Sequence, residues 1–162
     1  MIKYSSFILL LLFSSFIISC SGNNNDNDIN VKAEEIMMPM SSYDLPCAEV
    51  NLYNKTIRRD TLVDVNRLNV DSVIKGLNWR YDNFGLVKQK MSGDTIYLFI
   101  QNSKYLAEEI GTTGAEEYIA DVVANITAVK GVNFIYLSFK GGAHASPGLY
   151  GRDMLDDLKE IK

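Results

Sequence analysis

One stretch of the sequence, residues 111–139, combines a helix signal and a strand signal with a single glycine between them. Thr113 can cap the helix, with Glu116 three residues later as its capping-box partner. Apolar side chains then recur at helical spacing and form one stripe: Ala115, Tyr118, Ile119, Val122, Ile126 and Val129. Gly131 can end the helix in the left-handed conformation, and an apolar strand follows over residues 132–139. The stripe therefore has to lie on a sheet that contains this strand.

Three further elements are predicted ahead of this stretch. Residues 48–53 alternate apolar and polar side chains, which is typical of a short strand. Asn69 can cap a helix in which apolar residues repeat at helical spacing: Val70, Val73, Ile74 and Leu77. Residues 86–91 and 94–100 predict a hairpin around Gly93, because glycine readily adopts the positive φ of such a turn.

The connecting segments carry weaker signals. Residues 54–61 are charged and predict a solvated loop or an edge hairpin, and residues 102–109 predict a short amphipathic turn or helix. Residues 144–151 predict a loop, and residues 152–162 a last charged helix. Apolar residues lie on both faces of the 94–100 arm, which favours an inner strand of the sheet.

This order of elements predicts an α+β fold. A chain of 162 residues has room for one domain and little more. We expect residues 47–155 to form that domain as a single small sheet, antiparallel or mixed, with two helices packed on one face. Residues 156–162 would then form a C-terminal tail.

The first residues have the pattern of an export signal. Lys3 gives a short positive start, and residues 5–18 are apolar but too few to span a bilayer comfortably. The sequence Ile-Ile-Ser-Cys at residues 17–20 resembles the lipobox of bacterial lipoproteins, in which the cysteine thiol takes a diacylglyceryl group. We therefore expect a signal peptide over residues 1–19 and a membrane anchor at lipidated Cys20, although an ordinary secretory signal remains the alternative. The mature protein would be extracytoplasmic on a bacterial membrane, with the outer membrane favoured over the inner.

Residues 20–46 predict a flexible polar tether, since most of them have no apolar periodicity and cannot bury a core. Asp26 and Asp28 alternate like the start of a calcium loop, but Val31 stands where such a loop needs glycine. Once Cys20 is lipidated, Cys47 has no disulfide partner within the chain. We expect it to pack as a small hydrophobic residue.

Catalytic groups are sparse. His144 is the only histidine, and it shares one Gly/Pro-rich loop and its exit with Ser146 and Asp153. Ser146 lacks the flanking glycines of a nucleophile elbow, and zinc needs three or four ligands that one histidine and one cysteine do not supply. The adjacent Glu116 and Glu117 are expected to face solvent. A net charge of −4 argues against a nucleic-acid partner, which needs a basic face. We expect no catalytic residue, no cofactor and no metal.

Residues 93–139 resemble the GerMN domain, first described in spore germination and sporulation lipoproteins. The similarity lies in residues 93–98 for a strand, residues 111–116 for a turn, and residues 123–132 for a helix end and the next strand. Lys130 replaces the usual proline of the family. The resemblance implies a small domain related to the ring-building modules of envelope machines, acting in interaction or as a scaffold, with no assigned catalytic residues.

Residues 141–152 are the best candidate for an interaction loop. They include His144, Tyr150 and Arg152, and tyrosine and arginine are over-represented among interface hot spots. The same residues can instead serve as a structural cover over the end of the sheet. Both interpretations stay open at this point.

The sequence thus predicts a non-enzymatic, lipid-anchored interaction or scaffold domain of the cell envelope. Its expected partners are the membrane, through Cys20, and an envelope protein, with a homo-oligomer left open. The alternative is an extracytoplasmic protein that binds a small ligand or a glycan through Trp79, Tyr150 and Arg152.

The anchor can be tested directly. Mass spectrometry of the mature protein should place its N-terminus at Cys20 and show the added mass of acyl chains. Cys20→Ser removes the nucleophilic thiol, so this variant should retain residues 1–19, whereas Cys47→Ser should be processed like the wild type. An unmodified N-terminus at any other residue would contradict the lipid anchor.

Overall fold

The structure, a computed structural model, describes residues 46–161. In chain order the strands and α-helices are β1 Ala48–Asn51, β2 Thr56–Arg59, α1 Val70–Arg80, β3 Leu86–Ser92, β4 Thr95–Ile100, α2 Thr112–Ile126, β5 Phe134–Ser138, β6 Gly148–Gly151 and β7 Lys159–Ile161. The predicted signal peptide, Cys20 and the tether up to residue 45 lie outside the described residues. Within the described part, no helix has the length and apolar character needed to cross a bilayer.

The larger sheet has four strands in the order β3-β4-β5-β6. The β3–β4 hairpin is antiparallel, β4 and β5 are parallel, and β5 and β6 are antiparallel. One face of this sheet carries the buried side chains of Ile96, Leu98, Ile100, Ile135 and Leu137, which share a core with apolar residues of both helices. The expected hairpin, the inner position of β4 and the packing of two helices on one face are confirmed.

A second sheet has three strands in the order β1-β2-β7. β1 and β2 form an antiparallel hairpin, and β7 joins β2 in parallel. The α+β class with a mixed sheet and helices is confirmed. Residues 46–161 form two sheets where one was expected, because β1 and β2 do not join the larger sheet.

The long helix α2 is buried on two sides. The predicted stripe is buried against the larger sheet, with Val122 and Ile126 fully inaccessible to solvent. On its other side, Ala120 and Ala124 pack with Ala48, Val50 and Ile57 of the smaller sheet. The small alanine side chains allow β1 to approach the helix closely.

A row of polar side chains on α2 binds the free edge of β1. Glu117, Asp121 and Asn125 are spaced four residues apart on the helix. Their side-chain oxygens accept hydrogen bonds from three backbone N–H groups of the β1 region: Leu52 to Glu117 Oε1 at 3.1 Å, Val50 to Asp121 Oδ1 at 2.5 Å, and Ala48 to Asn125 Oδ1 at 2.8 Å. Asn125 Nδ2 also donates to the carbonyl of Ala48 at 2.9 Å. The helix thus replaces a neighbouring strand at this edge.

Asp121 is the centre of this contact. Its carboxylate is 0% exposed, lies 3.1 Å from Arg80 Nη1, and accepts a short hydrogen bond from the hydroxyl of Tyr81. Burial raises the pKa of the Asp121 carboxyl, while hydrogen bonds from Tyr81, Val50 and Arg80 oppose that shift. Burial beside the same carboxylate raises the pKa of Tyr81, which keeps its hydroxyl protonated as a donor. One carboxylate therefore joins α1, α2 and β1. Glu117 and Asp121 show that this side of α2 is not a solvated face, so the expectation for Glu117 is wrong.

Several local predictions are confirmed and others are wrong. Asn69 caps α1 by accepting a hydrogen bond from the Ser72 N–H at 2.9 Å, as predicted. The N-cap of α2 is Gly111 at φ 82° rather than Thr113, because the chain turns there in a conformation that favours glycine. The helix ends at Ile126, and Gly131 adopts the expected positive φ at 86°.

The C-terminal region differs most from expectation. Residues 144–151 were expected to form a loop, yet β6 pairs with β5 over Gly148–Gly151. Residues 152–162 were expected to form a helix, but a 3₁₀ turn over Arg152–Leu155 precedes β7. β7 pairs with β2, so the fold continues to Ile161 instead of ending at residue 155. Short strands that contain glycine or charged residues show little alternation of apolar and polar side chains. β6 and β7 are therefore recognisable only from their pairing with β5 and β2.

Asp121→Ala should destabilise the domain strongly. The substitution leaves Arg80, Tyr81 and the Val50 N–H without their shared acceptor, and breaking a buried ion pair in this way costs about 3–5 kcal/mol. Equilibrium urea unfolding measures the loss. Asp82 is an exposed carboxylate just after the end of α1, and Asp82→Ala should change stability by no more than about 0.5 kcal/mol. Equal stability of the two variants would show that the Asp121 contact is unimportant.

Candidate functional site

The outer face of the four-stranded sheet, opposite the helices, is apolar and exposed. Strand alternation directs every second side chain of β4 and β5 away from the core. We define the outer face by six side chains on four neighbouring strands: Val87, Tyr97, Phe99, Phe134, Tyr136 and Leu149. All except Tyr97 are between 38% and 61% exposed. Apolar side chains that cluster on an exposed surface in this way commonly mark an interaction site.

The strand register makes these side chains neighbours. Tyr97 lies opposite Tyr136 in the parallel β4–β5 pair, with ring centroids 5.4 Å apart. Leu149 lies opposite Tyr136 on the other side, across the β5–β6 pair. Gly151 lies opposite Phe134, and a Cβ atom there would approach the phenyl ring to 3.2 Å. Glycine at this position therefore leaves room for the Phe134 ring on the outer face.

A lysine places a positive charge over the aromatic rings. The β3–β4 register shifts between Lys88 and Lys90, which places Lys90 opposite Tyr97. Its ammonium group lies 4.5 Å from the Tyr97 ring centroid, which is within range of a cation–π interaction. Lys88 instead pairs with Asp71 of α1 at 3.1 Å. The outer face therefore carries one cation in a chain that is acidic overall.

The same register shift protects the edge of the sheet. β3 is an edge strand of the sheet. Its register shift falls at three polar residues, Lys88, Gln89 and Lys90. A bulge and charged side chains are common devices that prevent another strand from pairing with an exposed edge. These features disfavour the addition of another strand beside β3.

The predicted interaction loop is held by contacts within the domain. His144 Nδ1 lies 3.0 Å from Thr112 Oγ1, and the His144 N–H donates to the Ala107 carbonyl at 3.0 Å. The hydroxyl of Tyr150 donates to the Ser146 carbonyl at 2.5 Å. Among the described contacts, no hydrogen bond joins His144 to Ser146 or Asp153. This arrangement favours the structural interpretation of the loop.

Arg152 has a structural partner as well. Its Nε donates to Thr127 Oγ1 at 3.0 Å, and its Nη2 makes a short hydrogen bond to the Thr127 carbonyl. Thr127 is the C-terminal cap of α2, where carbonyl groups lack helical partners and a cation is favourable. Arg152 thus completes the end of the helix.

His144 and Tyr150 do share one small cavity of about 240 Å³ with Glu116. Trp79 lies elsewhere, in a cleft of about 560 Å³ formed by the β1–β2 hairpin and the end of α1. The three residues expected to form one glycan site are therefore not brought together: Trp79 and Tyr150 line different cavities, and Arg152 binds Thr127. Phe84 is buried, but Trp79 is 65% exposed.

Two further kinds of reactive group are the thiol of Cys47 and the side chains that can bind a metal ion. Cys47 is buried, and burial raises the pKa of its thiol, which makes it a poor nucleophile at neutral pH. Its expected packing role is consistent with this burial. Among residues 46–161, no three His, Cys, Asp or Glu side chains are arranged to hold a metal ion.

Sequence reasoning did not identify the outer face as a surface. The available signal is the apolar residues on both faces of the 94–100 arm, a pattern that an inner strand alone also explains. β5 repeats that signal. Phe134 and Tyr136 lie on one face of the strand, and Ile135 and Leu137 lie on the other. Together the two strands could have indicated a second apolar face.

Comparison with known proteins gives no match to a family model, to a curated protein or to a solved structure.

Proposed function

We propose that this chain is a lipid-anchored binding domain of the bacterial cell envelope that docks a protein partner on its outer face and has no catalytic role. The observation that carries the proposal is the exposed aromatic surface of the four-stranded sheet. The lipobox-like sequence ending at Cys20 supports an extracytoplasmic position on a membrane. The GerMN resemblance, with its implied interaction or scaffold role, agrees with the same proposal.

The composition of the outer face suits a protein interface. Aromatic residues are enriched in the cores of such interfaces and include many of the side chains that dominate binding energy. Phe99, Phe134 and Tyr136 stand on paired strands, so their backbone loses little conformational freedom on binding. Leu149, at 61% exposure, has the most to gain from burial.

The chemistry of the face also limits the partner. Small ligands favour concave sites, whereas this surface is one face of a sheet, and neither of the two cavities described above lies on it. Lys90 adds a positive charge beside Tyr97. The partner is therefore a protein with an apolar patch and an acidic group near it. Two copies that faced each other through this surface would each contribute Lys90, and like charges across an interface disfavour that pairing.

Photo-crosslinking identifies the partner. A p-benzoylphenylalanine residue at position 136 or 149 should form a discrete adduct with one envelope protein in cells that produce the chain. The same residue at position 53 is the matched control, because Tyr53 is an aromatic residue with 90% exposure away from the outer face. Equal adducts at all three positions, or an adduct of two copies of this chain, would contradict the proposal.

Binding of the identified protein then tests the surface itself. Leu149→Asp should weaken the affinity at least tenfold, because it places a carboxylate in an apolar contact. Tyr53→Asp should leave the affinity unchanged. Isothermal titration with both purified proteins makes the comparison, and an unchanged affinity of Leu149→Asp would place the interface elsewhere.

A further inference from the structure

The cleft beside Trp79 is a second candidate binding site, separate from the outer face. It has a volume of about 560 Å³, within the range typical of ligand sites. Its walls come from the β1–β2 hairpin, the segment after β2 and the last turn of α1. None of its lining residues belongs to the outer face, so the two surfaces can act independently.

An exposed indole forms one wall of the cleft. Trp79 is near the end of α1 and is 65% exposed, while its helix neighbour Leu77 is buried in the core. Leu62 lines the same cleft and is also largely exposed. Tryptophan combines a large flat apolar surface with one N–H donor, which suits ligands that have both an apolar face and hydroxyl groups.

The polar lining presents donors and acceptors side by side. Arg58 forms an ion pair with Glu49, and both residues line the cleft. Asp60 and Thr61, which follow β2, line the same cleft and add a carboxylate and a hydroxyl group. A sugar hydroxyl both donates and accepts hydrogen bonds, so it needs donors and acceptors in close alternation.

Each arginine of the cleft has an acidic partner within the domain. Arg58 pairs with Glu49, Arg59 Nε lies 3.6 Å from Glu160 Oε1, and Arg80 pairs with Asp121. A strongly anionic ligand would have to compete with these carboxylates for each guanidinium. A neutral polyol can bind the arginines and their acidic partners together without separating them.

Part of the lining is also held in place before any ligand binds. Arg80 Nη1 donates to the Ala48 carbonyl at 3.0 Å, and the Asp60 N–H donates to the Cys47 carbonyl at 2.9 Å. Asp60 Oδ1 in turn accepts a hydrogen bond from the Leu62 N–H at 2.8 Å. A site with fixed groups loses less freedom on binding. We infer that this cleft binds a neutral oligosaccharide, with one sugar ring stacked on Trp79 and its hydroxyls bound by the Arg58–Glu49 pair and Asp60.

The single tryptophan of the chain makes this binding observable. Full-length protein in detergent is titrated with tetra-N-acetylchitotetraose, cellotetraose and maltotetraose while the emission of Trp79 is recorded. At least one of the three should give a saturable blue shift, because the indole leaves water. Poly-L-glutamate is titrated in parallel as an anionic polymer. No change with any of the three sugars, or a shift produced only by poly-L-glutamate, would overturn the inference.

Calorimetry with the responding sugar assigns the residues. Trp79→Ala and Glu49→Gln should each weaken binding at least tenfold. Tyr53 is an exposed aromatic residue on the β1–β2 hairpin, and Tyr53→Ala should bind like the wild type. Thermal unfolding of each variant verifies that it is folded, and both cleft residues are exposed enough to be replaced without disturbing the core. Wild-type affinity in both Trp79→Ala and Glu49→Gln would overturn the inference.

Discussion

The contact on which the structure depends most is the row of side chains by which α2 holds β1. Four residues of helix rise about 6 Å, and two residues of strand span about 6.7 Å, so every fourth helix position can meet every second strand amide. Glu117, Asp121 and Asn125 use this near-match to bind the N–H groups of Leu52, Val50 and Ala48. An edge that would otherwise be open to another strand is closed from within the domain.

This arrangement determines which surfaces remain for binding. α2 packs against the larger sheet on one side and against the smaller sheet on the other. Both helices lie on the inner face of the larger sheet, so its outer face remains exposed to solvent. The same contact sets β1 against the end of α1, where Arg80 reaches the Ala48 carbonyl and the cleft beside Trp79 forms. The two candidate binding surfaces thus follow from the way one helix is buried.

Periodicity predicted the elements that have a strong apolar pattern. The stripe of α2, the cap of α1 at Asn69 and the β3–β4 hairpin were all predictable from local spacing. The polar row on α2 was not, because Asp121 and Asn125 have the same appearance in sequence as solvated helix residues, and only the position of β1 makes them buried. The signal that could have found them is their i, i+4 spacing beside Ala120 and Ala124, which permit a close approach. β6 and β7 were missed because pairing with distant strands, and not local pattern, creates them, and the exposure of Trp79 likewise depends on where β1 and β2 lie.

Native-state amide hydrogen exchange, followed residue by residue, tests most directly whether α2 holds β1. The N–H groups of Ala48, Val50 and Leu52 point away from β2 and depend on the helix side chains. If the contact is as described, these amides exchange almost as slowly as the amides of the inner strand β4. Exchange as fast as that of the unpaired amides on the free edge of β3 would contradict it.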